Sequence, residues 1–247
     1  MAGSVLVTGM ILSAQPVGEY DRRLVLLTRE LGKISAFARG VRRPTVSMSG
    51  SCQPFAFGKF TVYEGRDSYT VENAEISQFF AELRSDLNAL YYGIYFCEFV
   101  EALTREGLEA TKELKVLYRS LGALSKESIG KRLVRSVFEL KELSVTGISP
   151  QVEECVHCRS KENLVWFHAK EGGCVCSRCG GGYGMLPVSQ STLYTMRYIL
   201  ATPIESLYTF TVKPEILQEL SGILDSFVAI HVGRRFKSLE MLETIAE

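Results

Sequence analysis

Histidine is scarce in this chain, with three in 247 residues, and none stands in a nucleophile or metalloprotease motif. No G-x-x-x-x-G-K-[ST] loop is present to cradle a triphosphate. A cleft of convergent acids, bases or an open metal therefore has no support in the sequence, and the chain is expected not to be an enzyme. No apolar run approaches the roughly 20 residues that a membrane span needs. The start, MAGSVLVTGM, lacks the basic opening and long apolar stretch of a secretory signal. Internal repeats and low-complexity linkers are absent too. With 46% hydrophobic and 23% charged residues, the composition is that of a folded, soluble protein of two or three small domains, with no membrane partner expected.

An excess of one charge is also missing, since 28 basic residues balance 28 acidic ones. Overall neutrality does not exclude a polyanionic partner, because what matters is where the charges lie. Between Tyr20 and Arg43 stand Arg22, Arg23, Arg29, Lys33, Arg39, Arg42 and Arg43, opposed only by Asp21 and Glu30. These bases are the candidates for phosphate contacts, with Phe37, Phe55 and Tyr63 able to stack on nucleobases if their rings face outward.

What is present in strength is a pair of C-x-x-C knuckles. Cys155 and Cys158 are followed about seventeen residues later by Cys176 and Cys179. Each knuckle brings two sulfurs to one ion, and the segment between, with Trp166, Phe167 and the turn Gly172-Gly173, can fold back as a short hairpin. The expected cofactor is one zinc ion. Four thiolates leave no open position for water or substrate, so its role is structural. Cys174, His157 and His168 are alternative ligands, whereas Cys52 and Cys97 lie in apolar surroundings that suit inert buried thiols. Cysteines paired for a metal point to a reducing cytoplasm. No C2H2 spacing is present, so a groove-reading finger is not supported.

From Ser4 to about Glu75 the pattern is strand-like: Val5–Thr8, Arg23–Thr28, Lys33–Phe37, Lys59–Tyr63 and Tyr69–Val71, with glycines at the turns. Five short strands in this length fit a small closed barrel of the OB type. Helical periodicity follows, over about Asp86–Thr104 with Asp86 at the start, Lys112–Leu124 and Ser128–Leu143. Further helices are expected around Thr192–Leu200 and Pro214–Phe227, the last continuing toward Leu239. The expected class is α+β multidomain. Residues 1–80 form an N-terminal five-stranded OB-fold barrel, and 81–247 an α-helical domain in which 150–186 is an inserted four-cysteine, zinc-ribbon-like element docked on the helices.

Three stretches carry a resemblance. They are Gly18–Arg22 with Leu27–Lys33 and Ala36–Pro44; Gly147–Pro150 leading into the four cysteines; and His231–Leu239. In these the chain resembles the RecO family of bacterial recombination mediators over nearly its whole length. The resemblance implies an OB-fold, a helical core and a structural zinc segment, serving recombinational repair of damaged DNA within the SOS response. It implies binding of single- and double-stranded DNA and annealing of strands coated by single-strand binding protein. Partners would be RecR, the C-terminal tail of single-strand binding protein and, at some gaps, RecF, in loading the RecA recombinase, in the cytoplasm and at the nucleoid during repair. Arg234, Arg235 and Lys237 are candidates to receive the tail. One departure stands out: Thr45-Val46-Ser47-Met48 follows Arg42-Arg43-Pro44 where the family usually adds bases, which implies fewer phosphate contacts in this loop. The alternative expectation is a protein adaptor linking single-strand binding protein to RecR with little direct DNA binding.

Overall fold

The computed structural model describes residues 3–43 and 47–245. Residues 45 and 46 of the departing loop lie outside the described residues. The fold begins with five strands, β1 Ser4–Val17, β2 Asp21–Thr28, β3 Gly32–Ala38, β4 Phe57–Glu64 and β5 Tyr69–Gln78. They close into a barrel in the order β1-β2-β3-β5-β4, with β3 and β5 parallel and the other pairs antiparallel. That is the OB arrangement expected from the sequence. Alternation does the sorting: in β3, Ile34, Ala36 and Ala38 point into a core shared with Val7, Leu24, Leu26, Phe60 and Val62, while Lys33, Ser35 and Phe37 point outward.

The first strand is far longer than its apolar run suggested. Its first half pairs with β4 and its second with β2, and a register irregularity between Ile11 and Ser13 lets it bend from one neighbour to the other. Gly9 stands where both pairings overlap, and a Cβ there would lie 2.5 Å from the Leu27 carbonyl oxygen.

Helices follow: α1 Leu87–Leu103, α2 Thr111–Leu124, α3 Lys131–Val145, α4 Gln190–Ala201, α5 Pro214–His231 and α6 Lys237–Ile245. Asp86 caps α1 by accepting from the Ala89 N–H, as its position implied. The expected run from Pro214 toward Leu239 is instead two helices. The chain breaks after His231, where Gly233 adopts φ +63°, and α6 starts afresh.

The molecule forms two compact units, 1–125 with 236–247, and 126–235. In the first, the barrel rests on α1 and α2. Lys33 donates its ammonium to the Glu101 carbonyl at 2.6 Å, Gly107 N–H to Leu31 O at 3.0 Å, and Tyr118 packs edge-on against Phe57 and Phe80. The terminal helix α6 docks here too, where Phe236 meets Tyr95 and Phe99 at 5.1 and 5.7 Å and Ser238 donates to Glu98 at 2.7 Å. In the second unit, α3, α4 and α5 carry a three-stranded sheet, β6 Leu164–His168, β7 Gly173–Cys176 and β8 Met185–Pro187, ordered β7-β6-β8.

Candidate metal centre and nucleic-acid surface

The four knuckle cysteines converge. The Sγ atoms of Cys155, Cys158, Cys176 and Cys179 all lie within 4.8 Å of one another, and Cys158 and Cys176 are 3.6 Å apart. A tetrahedral ion with Zn–S bonds of about 2.3 Å needs sulfurs roughly 3.8 Å apart, so the quartet is sized for one metal and not for disulfides. Local folding explains the convergence. Strands β6 and β7 form the hairpin, with Gly172 at φ +79° in its turn, and Gly180 packs so tightly on Trp166 that a Cβ would fall 2.1 Å from the indole. Burial alone would raise the Cys176 thiol, yet the N–H groups of Cys179 and Arg178 hold it down to about 6. Cys155 is lowered likewise, its burial outweighed by N–H groups of Cys158, Cys176 and His157. Cys179, crowded by the sulfurs of Cys158 and Cys176, is pushed up to about 12. Four sulfurs this close cannot all be thiolates without a cation among them, and the donor set fits a metal ion.

The alternative ligands point elsewhere. Cys174 is buried beside Phe167 in the ladder, its thiol pushed up to about 12 by burial. His157 and His168 both turn to Glu171, His168 Nδ1 at 3.2 Å. Cys52 and Cys97 are buried thiols raised by desolvation, Cys52 to about 11. The segment is fastened to the helices, as expected of a docked insert. Arg197 of α4 donates twice to the Val152 carbonyl, at 2.9 and 2.7 Å, and Phe167 packs on Phe227 of α5.

The seven bases between Tyr20 and Arg43 are not one patch. Arg23, Arg39, Arg42 and Arg43 are exposed around the β1–β2 turn and the end of β3. These turns are tied together by Gly40 N–H to Asp21, Arg42 N–H to Tyr20 O, and the Arg43 guanidinium 5.0 Å over the Tyr20 ring. Across the outer face, Gln15, Arg23 and Phe37 form one register row. Arg22 is different. It shares the inward parity of Leu24 and Leu26, and donates to the carbonyls of Cys52 at 2.7 Å and Ser49 at 3.2 Å. Arg29 and Lys33 stand at the far end of the β2–β3 ribbon, roughly 20 Å and roughly 13 Å along it from Arg23. There Arg29 pairs with Glu30, and Lys33 holds the end of α1.

Of the three aromatics, Phe37 and Tyr63 face outward, while Phe55 is buried against Gly93 of α1 and is not available to stack. Tyr20 and Arg66 are not marked by a run of bases. Both are exposed in the β1–β2 and β4–β5 turns, the two loops through which OB barrels bind strands, so strand order alone would have pointed to them. Arg234, Arg235 and Lys237 are exposed around the start of α6.

Comparison with known proteins agrees with this architecture. The family model "Recombination protein O N terminal" matches residues 1–80, and "Recombination protein O C terminal" matches 84–240. A protein of Alkaliphilus metalliredigens named DNA repair protein RecO is 33% identical over 240 residues, covering 96% of this chain and 98% of its own. Proteins of the same name from Symbiobacterium thermophilum and Bacillus pumilus are 32% and 29% identical, covering 97% and 95% of this chain and 96% and 91% of theirs. With both barrel and helical region matched in order, the chain belongs to the RecO family of DNA repair proteins.

Proposed function

We propose that the protein is a recombination mediator that binds single- and double-stranded DNA through the β1–β2-turn end of its barrel. It anneals complementary strands coated by single-strand binding protein and, with RecR and at some substrates RecF, helps load the RecA recombinase in the cytoplasm. The observation that carries this reading is the gathering of Arg23, Arg39, Arg42 and Arg43 beside the outward ring of Phe37. Cations meet phosphates and an aromatic meets bases, the combination a single-strand groove needs. Annealing then requires no covalent chemistry. A cationic surface holding one strand lowers the repulsion felt by its complement, and duplex stacking drives the pairing.

In this reading Arg22 and Lys33 shape the surface, the first by holding the β3–β4 loop and the second by anchoring α1. The metal is zinc, held by Cys155, Cys158, Cys176 and Cys179. It supplies folding energy and neutralises thiolates, with no coordination position left for a reactant.

The test is annealing of complementary oligonucleotides, one coated with single-strand binding protein, without nucleotide and at several salt concentrations. Rapid, salt-sensitive annealing that Arg42→Glu/Arg43→Glu abolishes supports the mediator. No annealing by the folded, metal-loaded native protein would instead favour an adaptor that links single-strand binding protein to RecR.

A further inference from the structure

The second unit carries an aromatic groove that the barrel's role does not use. It is about 600 Å³, within the size range of small-molecule sites, and lies between α4 and the segment leading into α5. Tyr194 and Tyr198 stand four residues apart on the exposed face of α4. Their rings are 24° from parallel with centroids 6.4 Å apart. That is within the roughly 4.5–7 Å range of an interacting aromatic pair, with the Tyr194 ring left largely exposed. The pair thereby presents an exposed aromatic face on which a base can stack. Phe210 meets Tyr198 edge-on at 5.0 Å and fixes the inner ring, while Tyr194 is 69% exposed and free to adjust.

The rim suits a nucleotide. Gln190 and Thr211 offer hydrogen-bonding groups for a base edge, and Lys213 an ammonium for a phosphate. Among the described residues, no carboxylate lines the groove. The nearby Glu219 accepts from the Ser189 N–H, and Glu215 is exposed in the first turn of α5.

We infer that this groove is a second single-strand contact, taking one unpaired base on the exposed face of Tyr194 and Tyr198 with its phosphate at Lys213. The inference rests on the reading that the protein binds DNA. It adds a base-stacking contact in the helical unit to an electrostatic one on the barrel. An apolar peptide lacks a flat, wide ring system at every residue, whereas every nucleobase has a π-face to lay on such aromatic rings.

The experiment measures affinity of the full chain for a thymidine oligonucleotide and for an abasic one of equal length, with ultraviolet crosslinking of 5-iodouracil strands read by peptide mapping. Tyr194→Ala should weaken binding to the base-bearing strand about tenfold and leave the abasic strand unchanged, Tyr194→Phe should restore it, and crosslinks should map to α4. Equal affinity of native protein and Tyr194→Ala for both strands, with crosslinks confined to the barrel, would overturn the groove while leaving DNA binding intact. Loss of self-association on Tyr194→Ala with unchanged DNA affinity would equally overturn it, marking a contact between copies. If Arg42→Glu/Arg43→Glu changes nothing while Tyr194→Ala does, the barrel reading fails and the groove stands.

Discussion

Arg22 donates its guanidinium to the Cys52 carbonyl at 2.7 Å, so a base that reads as a phosphate contact holds the loop between β3 and β4 from within the barrel mouth. Arg22→Ala should therefore lower stability by about 1.5–3 kcal/mol, the range for hydrogen bonds to a charged group. The salt dependence of DNA binding should stay as it is. Arg23→Ala should do the reverse, leaving the denaturation midpoint in place and reducing the salt slope by roughly 0.7 for a single strand. Denaturant melts and binding titrations on the two variants decide the matter. A lost slope unit in Arg22→Ala at native stability would put its side chain on DNA.

The four-sulfur site makes a prediction that separates ligands from bystanders. Cys158→Ser or Cys179→Ser should reduce bound metal and lower the melting midpoint by roughly 10 °C, since metal affinity feeds into folding. DNA affinity of the protein still folded should be retained. Cys174→Ser should keep the metal in full, because Cys174 lies outside the quartet, although its buried hydroxyl lowers stability modestly. Metal content and thermal melts report both effects, and loss of metal in Cys174→Ser would reassign the site.

Much of this was legible in the sequence because the signals were local. Alternation in Lys33–Phe37 marked a strand, Asp86 marked a helix start, and two C-x-x-C pairs marked a metal site. What escaped depended on contacts between distant residues. His157 and His168 meet at Glu171 only once the hairpin has folded, so neither could be struck from the ligands beforehand. The length of β1 was hidden because the strand pattern Val5–Thr8 ends at Gly9, whereas a bent strand pairing on both sides needs a glycine and an irregularity there. Arg22 is instructive in another way. Its parity with Leu24 and Leu26 placed it inward, but the argument from charge placed it on the surface, and the strand's period was the better guide.

The break between α5 and α6 gives the C-terminus a structural task. Phe236 is buried between Tyr95 and Phe99 of α1, so Phe236→Ala should cost about 3–5 kcal/mol. The loss should appear in the first unit. Hydrogen exchange should quicken in α1 and α6 and stay slow in the hairpin that carries the cysteines. Uniform quickening across both units would show that α6 does not belong to the barrel's unit alone.

Lys141 is buried in α3 with its ammonium donating to the carbonyls of Thr202 at 2.7 Å and Leu200 at 2.8 Å, closing the end of α4. Lys141→Met leaves those carbonyls without a donor and should cost about 1–3 kcal/mol at neutral pH. Burial also holds this amine below its ordinary 10.5. Between the lowered folded value and 10.5 the unfolded chain binds more protons than the folded one, so the native protein gains stability as pH rises through that window. Lys141→Met has no such group. The stability gap between native protein and variant should therefore widen as pH climbs toward 10.5, measured by denaturant melts at stepped pH. A gap that narrows would mean that the two carbonyls favour the charged ammonium over the neutral amine, with hydrogen bonding outweighing the cost of burial.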